Sequence, residues 1–158
     1  MRFVVTVQDS DPVAVALQTR DLLRCVSRTN LWLMHKHGNS IPPLYESGIK
    51  FRTEPWGDQV QHAANCVEAL ERGWADCKVL CCWLRAERIL QFPKLDPEKF
   101  DFKIYWRVFD SDPLHNQIQG RSLGECRIYH VQLRLPKEAA RALGLDSDLE
   151  DPSRMLHQ

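Results

Sequence analysis

Apolar residues recur along this chain at two different periods. In "VAVALQTRDLLRCVSRTNLWLMHKH" they return every three or four positions, which predicts one long or broken helix over about 12–36. "DSDP" (9–12) supplies an Asp cap and a proline near the first helical position. "QVQHAANCVEALERG" (59–73) repeats the helical period and stops at Gly73. From Asp76 to about Gln91 the run is apolar on most sides, as expected of a central, buried helix. The period then falls to two. "FDFKIYWRVFD" (100–110) sets Ile104, Trp106 and Val108 on one face. "GECRIYHVQLRLP" (124–136) does the same with Tyr129, Val131, Leu133 and Leu135, turning His130 and Gln132 to the other face. "RFVVTV" (2–7) reads as a short buried strand and "PKEAARALGL" (136–145) as a helix opened by Pro136. "DSDPLHNQIQGRS" reads as a hairpin loop, and "HGNSIPPLYESGIKFRTEPWGD" (37–58) as an extended surface segment anchored by Tyr45, Ile49, Phe51 and Trp56. Helices mostly precede strands, which predicts one α+β domain over 1–158, its central helix packed on an antiparallel sheet.

Composition narrows the function classes. The 158 residues are 44% apolar and 27% charged, with 21 basic against 21 acidic side chains. A balanced charge provides no field to collect phosphates, so nucleic acid is not an expected partner. The opening residues are too weakly apolar for a signal peptide, and no run nears the roughly 18 apolar residues of a membrane span. The expectation is a cytoplasmic protein with no membrane partner. In that compartment the six cysteines are expected as free thiols rather than disulfides.

Three of those cysteines, Cys77, Cys81 and Cys82, crowd into "GWADCKVLCCWL" (73–84). Cys77 with Cys81, or His62 with Cys66, stand four apart and could share a metal, but there is no C-x-x-C pair and no metal is expected. Cys81 and Cys82, between "VL" and "WL", read as packing, as do Cys25, Cys66 and Cys126. Cys77 differs because it follows Asp76, a good cap, on the first turn of the buried helix. Free N–H groups there would stabilise a thiolate and donate to a developing oxyanion.

A thiol nucleophile needs a base. His35 and His37 fall at a helix end, His115 in a loop and His157 in the tail, whereas His130 lies mid-strand, as either a core histidine or a base. Asp151 precedes Pro152, which enforces the extended backbone that a further strand would need.

"ERGWADCKVLCCWLRAERI", "YHVQLRL" and "EDPSRML", in that order, resemble the transglutaminase-like branch of the papain-like cysteine hydrolases. The upstream "IPPLYESGIKFRTEPW" is similar to a small bacterial and phage-encoded subgroup. The resemblance spans roughly 40–90 and 125–155. It implies a papain/transglutaminase-like core and a Cys77–His130–Asp151 triad acting through a thioester on a peptide or protein amide, with no cofactor. Ala75 and Lys78 depart from the glycine and the acidic residue common at those positions. Asp146 and Asp148 compete with Asp151 as the orienting carboxylate. Gln59, Gln61 and Asn65 are candidates for a second oxyanion donor, Gln61 first. The other role open to such a fold is a non-catalytic module that binds phage or other assembly proteins.

Overall fold

The computed structural model describes residues 12–53, 64–108 and 126–156. The expected strand at 2–7, the hairpin loop and Trp56 lie outside the described residues, as do Gln59, Gln61, His62, His115 and His157. Helix α1 (Pro12–His37) turns Thr19, Leu23, Ser27, Asn30 and Met34 inward, a spacing of four, four, three and four that keeps one face buried. Helix α2 (Cys66–Arg72) is shorter than its apolar pattern suggests. Asn65 opens it with a capping box: its side chain accepts from Val67 and Glu68 N–H, and Glu68 accepts from the Asn65 N–H. Gly73, at φ 73°, closes it in the left-handed conformation that favours glycine.

Segment 38–53 keeps more than half of its residues exposed, as expected of a surface course, with Ile49 as one of its anchors. It bends through short 3₁₀ turns at Gly38–Ser40 and Leu44–Glu46 and buries Leu44 and Ile49. It ends in strand β1 (Lys50–Phe51), which pairs parallel with β2 (Trp74–Ala75). The stretch before Cys77 is therefore a held strand rather than a free loop. Helix α3 (Cys77–Gln91) buries eleven of its fifteen residues and packs between α1 and a small antiparallel sheet. Completely enclosed side chains such as Trp83, Leu80 and Leu84 each contribute about 2 kcal/mol through burial. Arg85, also enclosed, donates to the carbonyls of Phe100 and Pro97 and to the Ser27 hydroxyl, joining α3 to α1 and to the start of the sheet.

The sheet has the order β3 (Asp101–Val108), β4 (Cys126–Arg134), β5 (Leu149–Glu150). Tyr105 faces His130 but Trp106 faces Ile128, so Tyr129 is an extra residue in β4 immediately before His130. Bulges of this kind bend a strand and re-aim the adjoining side chains. Val131, Leu133 and Leu135 face the core, and His130 and Gln132 are only partly covered, as the alternation predicts. The faces expected for Trp106, Val108 and Tyr129 concern side chains outside the described set. After β4 comes helix α4 (Lys137–Ala142), and the chain returns to pair Leu133 with Glu150. The described residues thus form a mixed helix-and-strand fold of the α+β kind. Among them no helix is long and apolar enough to cross a membrane.

Candidate active site

Cys77 is delivered by short elements fixed on both sides. Lys50 N–H donates to the Gly73 carbonyl and Arg52 N–H to the Ala75 carbonyl, so β1 aligns the chain up to Asp76. Ala75 is fully buried against this pairing. Asp76 caps α3: Oδ1 accepts from Val79 N–H at 3.0 Å, and Oδ2 meets Lys78 Nζ at 2.5 Å. The lysine that departs from the family pattern is thus one half of a buried ion pair on the first turn of α3. Outside, Trp74 carries the guanidinium groups of Arg72 and Arg52 over its ring, 4.7 and 5.5 Å from the centroid.

The cluster resolves into three environments. Cys82 donates its thiol to the Leu23 carbonyl in α1, and Cys81 donates to the Val131 carbonyl in β4, each at 3.3 Å with the residue fully enclosed. Adjacent cysteines therefore anchor α3 to opposite layers. Cys77 keeps 8% of its surface. Burial pushes its thiol up to about 11, reinforced by the charge of Asp76. Lys78 and a hydrogen bond from the Val131 N–H act the other way, and Asp151 adds to the rise. Enclosure and the neighbouring carboxylate thus oppose the thiolate that the helix start was expected to favour. At neutral pH the resting sulfur carries its proton.

His130 Nε2 lies 2.8 Å from Asp151 Oδ2. Asp151 is well supplied with donors. Gln132 Nε2 donates to the same oxygen at 3.1 Å, while the Ser153 hydroxyl and N–H donate to Oδ1 at 2.6 and 3.2 Å. Arg154 adds an exposed contact at 3.3 Å. Burial opposes the charged carboxylate, but the bonds from Ser153, Gln132 and His130 outweigh it and hold the group below its ordinary range. An ionised carboxylate only accepts, so Nε2 of His130 donates to it, which is the tautomer that leaves a lone pair on Nδ1. Tyr105 flanks the imidazole, with ring centroids 5.8 Å apart.

Asp151 is extended, as Pro152 requires, but it does not begin a strand. β5 ends at Glu150, and Asp151 is the cap of helix α5 (Pro152–Met155). Its neighbour Glu150 is tied down by Arg88 and by the Tyr45 hydroxyl, which fixes the chain on the approach. Asp146 and Asp148 are exposed on the return from α4, where the Asp148 carbonyl accepts from Leu135 N–H. Asn65 is occupied as the α2 cap. Gln132, Ser153 and Tyr105 were not among the expected site residues. The signals were present: Gln132 stands two from His130 on one strand face, and "DPS" is a helix-capping pattern. Among the described residues no three His, Cys, Asp or Glu side chains converge as metal ligands. No family model matches the chain, and no significant match was found among curated proteins or solved structures.

Proposed function

We propose that this chain is a thiol-dependent acyl-transfer enzyme with a papain/transglutaminase-like core, acting on a peptide or protein amide. The observation that carries the reading is the juxtaposition at Val131. Its carbonyl accepts from Cys81, one turn on from Cys77 in α3, and its backbone favours the Cys77 thiolate against burial, while the preceding residue, His130, lies 2.8 Å from Asp151. Because the thiol is protonated at rest, His130 Nδ1 takes its proton as the sulfur attacks the acyl carbon. Asp151 stabilises the resulting imidazolium and keeps the other ring proton on Nε2. The Cys77 N–H, on the first turn of α3, donates to the oxyanion. The imidazolium then protonates the leaving amine as the C–N bond breaks, and a thioester remains on Cys77. Water as the next acceptor gives a carboxylic acid; an amine gives a new amide.

The test uses p-nitrophenyl acetate, whose acetyl group is followed by peptide mass mapping. Cys77 is expected to be acetylated in the native protein at pH 7, faster than exposed Cys25, and to release the acetyl group to water or to added glycinamide. Cys77→Ala is expected to abolish this turnover while Cys25 still labels. Acetylation of Cys77 only as the protein unfolds would overturn the proposal.

The raised thiol and the buried Asp76–Lys78 pair favour a second reading, a binding module for assembly proteins of a phage-type particle, with an unused triad. On that reading Cys77→Ala leaves partner binding and biological role unchanged.

A further inference from the structure

Beyond the three residues of the proposed triad, one polar chain runs across the exposed face of the sheet. Tyr105 Oη donates to Gln132 Oε1 at 2.7 Å, and Gln132 Nε2 donates to Asp151 Oδ2 at 3.1 Å, on the same oxygen that takes the His130 proton. An amide has one acceptor end and one donor end. Turned the other way, Gln132 would set its carbonyl oxygen against a carboxylate, two acceptors with no proton between them. The carboxylate thus sets the sense of the amide, and the phenol hydroxyl, which donates to the carbonyl end, anchors it in that sense. The unbroken ladder from Asp101–Arg134 to Tyr105–His130 keeps the pieces in register, setting Tyr105 directly opposite His130 just before the bulge. Lys103 Nζ lies over the Tyr105 ring, 5.0 Å from its centroid, and steadies it from the far side.

We infer that Gln132 and Tyr105 are positioning residues of this site: the Tyr105 hydroxyl anchors the Gln132 amide, which donates to Asp151 Oδ2 and holds the carboxylate in line with His130 Nε2. The inference rests on the acyl-transfer reading for its kinetic consequence, but not for its geometry. The Tyr105 hydroxyl acts on Asp151 through Gln132, so the two substitutions are coupled.

The experiment follows acetylation of Cys77 by p-nitrophenyl acetate from pH 5 to 9, together with the His130 Nε2–H proton resonance. Gln132→Ala is expected to slow acetylation about tenfold, as for one hydrogen bond to a charged group. Tyr105→Phe, which keeps the ring, should slow it about threefold. The double variant should be no slower than Gln132→Ala alone. Gln132→Glu should fall below Gln132→Ala at pH 8 and recover as the pH drops, once the new carboxyl holds a proton to donate. The Nε2–H signal should be sharp in the native protein, broadened by Tyr105→Phe and lost to solvent exchange in Gln132→Ala. Additive losses in the double variant, or a Gln132→Ala protein with native pH profile and native Nε2–H signal, would overturn the inference. If native Cys77 is never acetylated, the acyl-transfer reading fails, and the Nε2–H signal alone decides the positioning role.

Discussion

The two faces of β4 meet opposite surroundings. Toward α3, Val131 and Leu133 are completely enclosed among apolar neighbours. Toward β3 and α5, His130 and Gln132 spend their polar atoms on Asp151 and Tyr105. The first face supplies stability without direction; the second supplies direction with little burial. They are inseparable in register, because a slip of one residue would exchange them and bury an imidazole. The apolar row therefore fixes where the hydrogen-bonded row stands, and the bulge at Tyr129 limits how far that row continues.

This contrast can be broken from either side. The largest effect is expected from Asp151→Asn, which retains the size of the side chain but removes the charge that stabilises an imidazolium. Acetylation of Cys77 should fall by about a thousandfold, while the denaturant midpoint moves little; retention of native acetylation would show that the polar row is ornamental. Leu133→Ala attacks the other face. It should cost about 3 kcal/mol by urea unfolding, yet the fraction that remains folded should acetylate at close to the native rate. A smaller effect separates pH-dependent stability from pH-dependent chemistry. Glu87 on α3 accepts from Leu44 N–H, and burial pushes it up from 4.5 to about 7 against that bond. Between those values the folded chain keeps a proton that the unfolded chain has released, so its contribution to stability falls as pH rises through the window. Glu87→Gln should flatten the decline, by about 2 kcal/mol between pH 5 and 8, and leave the acetylation profile unchanged. An unaltered pH dependence of unfolding in Glu87→Gln would remove Glu87 from this account.

The long elements were legible because their periodicity is long. Helix α1 spans 26 residues with one inward face, and α3 begins directly behind Asp76. Both faces of β4 could be read from 131 onward. The two-residue strands β1 and β2 carry no period at all, so nothing in the pattern announces them. For α2, the apolar spacing of the preceding residues concealed the stronger local signal, the "N-C-V-E" capping box at Asn65–Glu68. The cap at Asp151 has the same Asp-Pro beginning that was read as a helix start at 11–12, but the extended backbone that Pro152 imposes suggested the start of a strand. Of the candidate site, the approach of His130 and Asp151 was implied by the resemblance to the papain-like hydrolases, with Asp146 and Asp148 as competitors. The state of the Cys77 thiol was not, since burial of Asp76 and Lys78 depends on packing that no local pattern encodes.

Beside Leu133 the edge of β4 is covered by β5, but at Val131 its place is taken by sulfur. Cys81 donates to the carbonyl, and the Val131 backbone acts on the Cys77 thiol, favouring its charged form. Sulfur is a weaker hydrogen-bond partner than a peptide oxygen, so this is the softest seam along the strand. Any group attached to the Cys77 sulfur, acyl or alkyl, changes the acceptor that the Val131 amide sees. The covalent state of one side chain is thereby written into the main chain next to His130, and the Val131 amide becomes a built-in reporter of whether that sulfur is free or occupied.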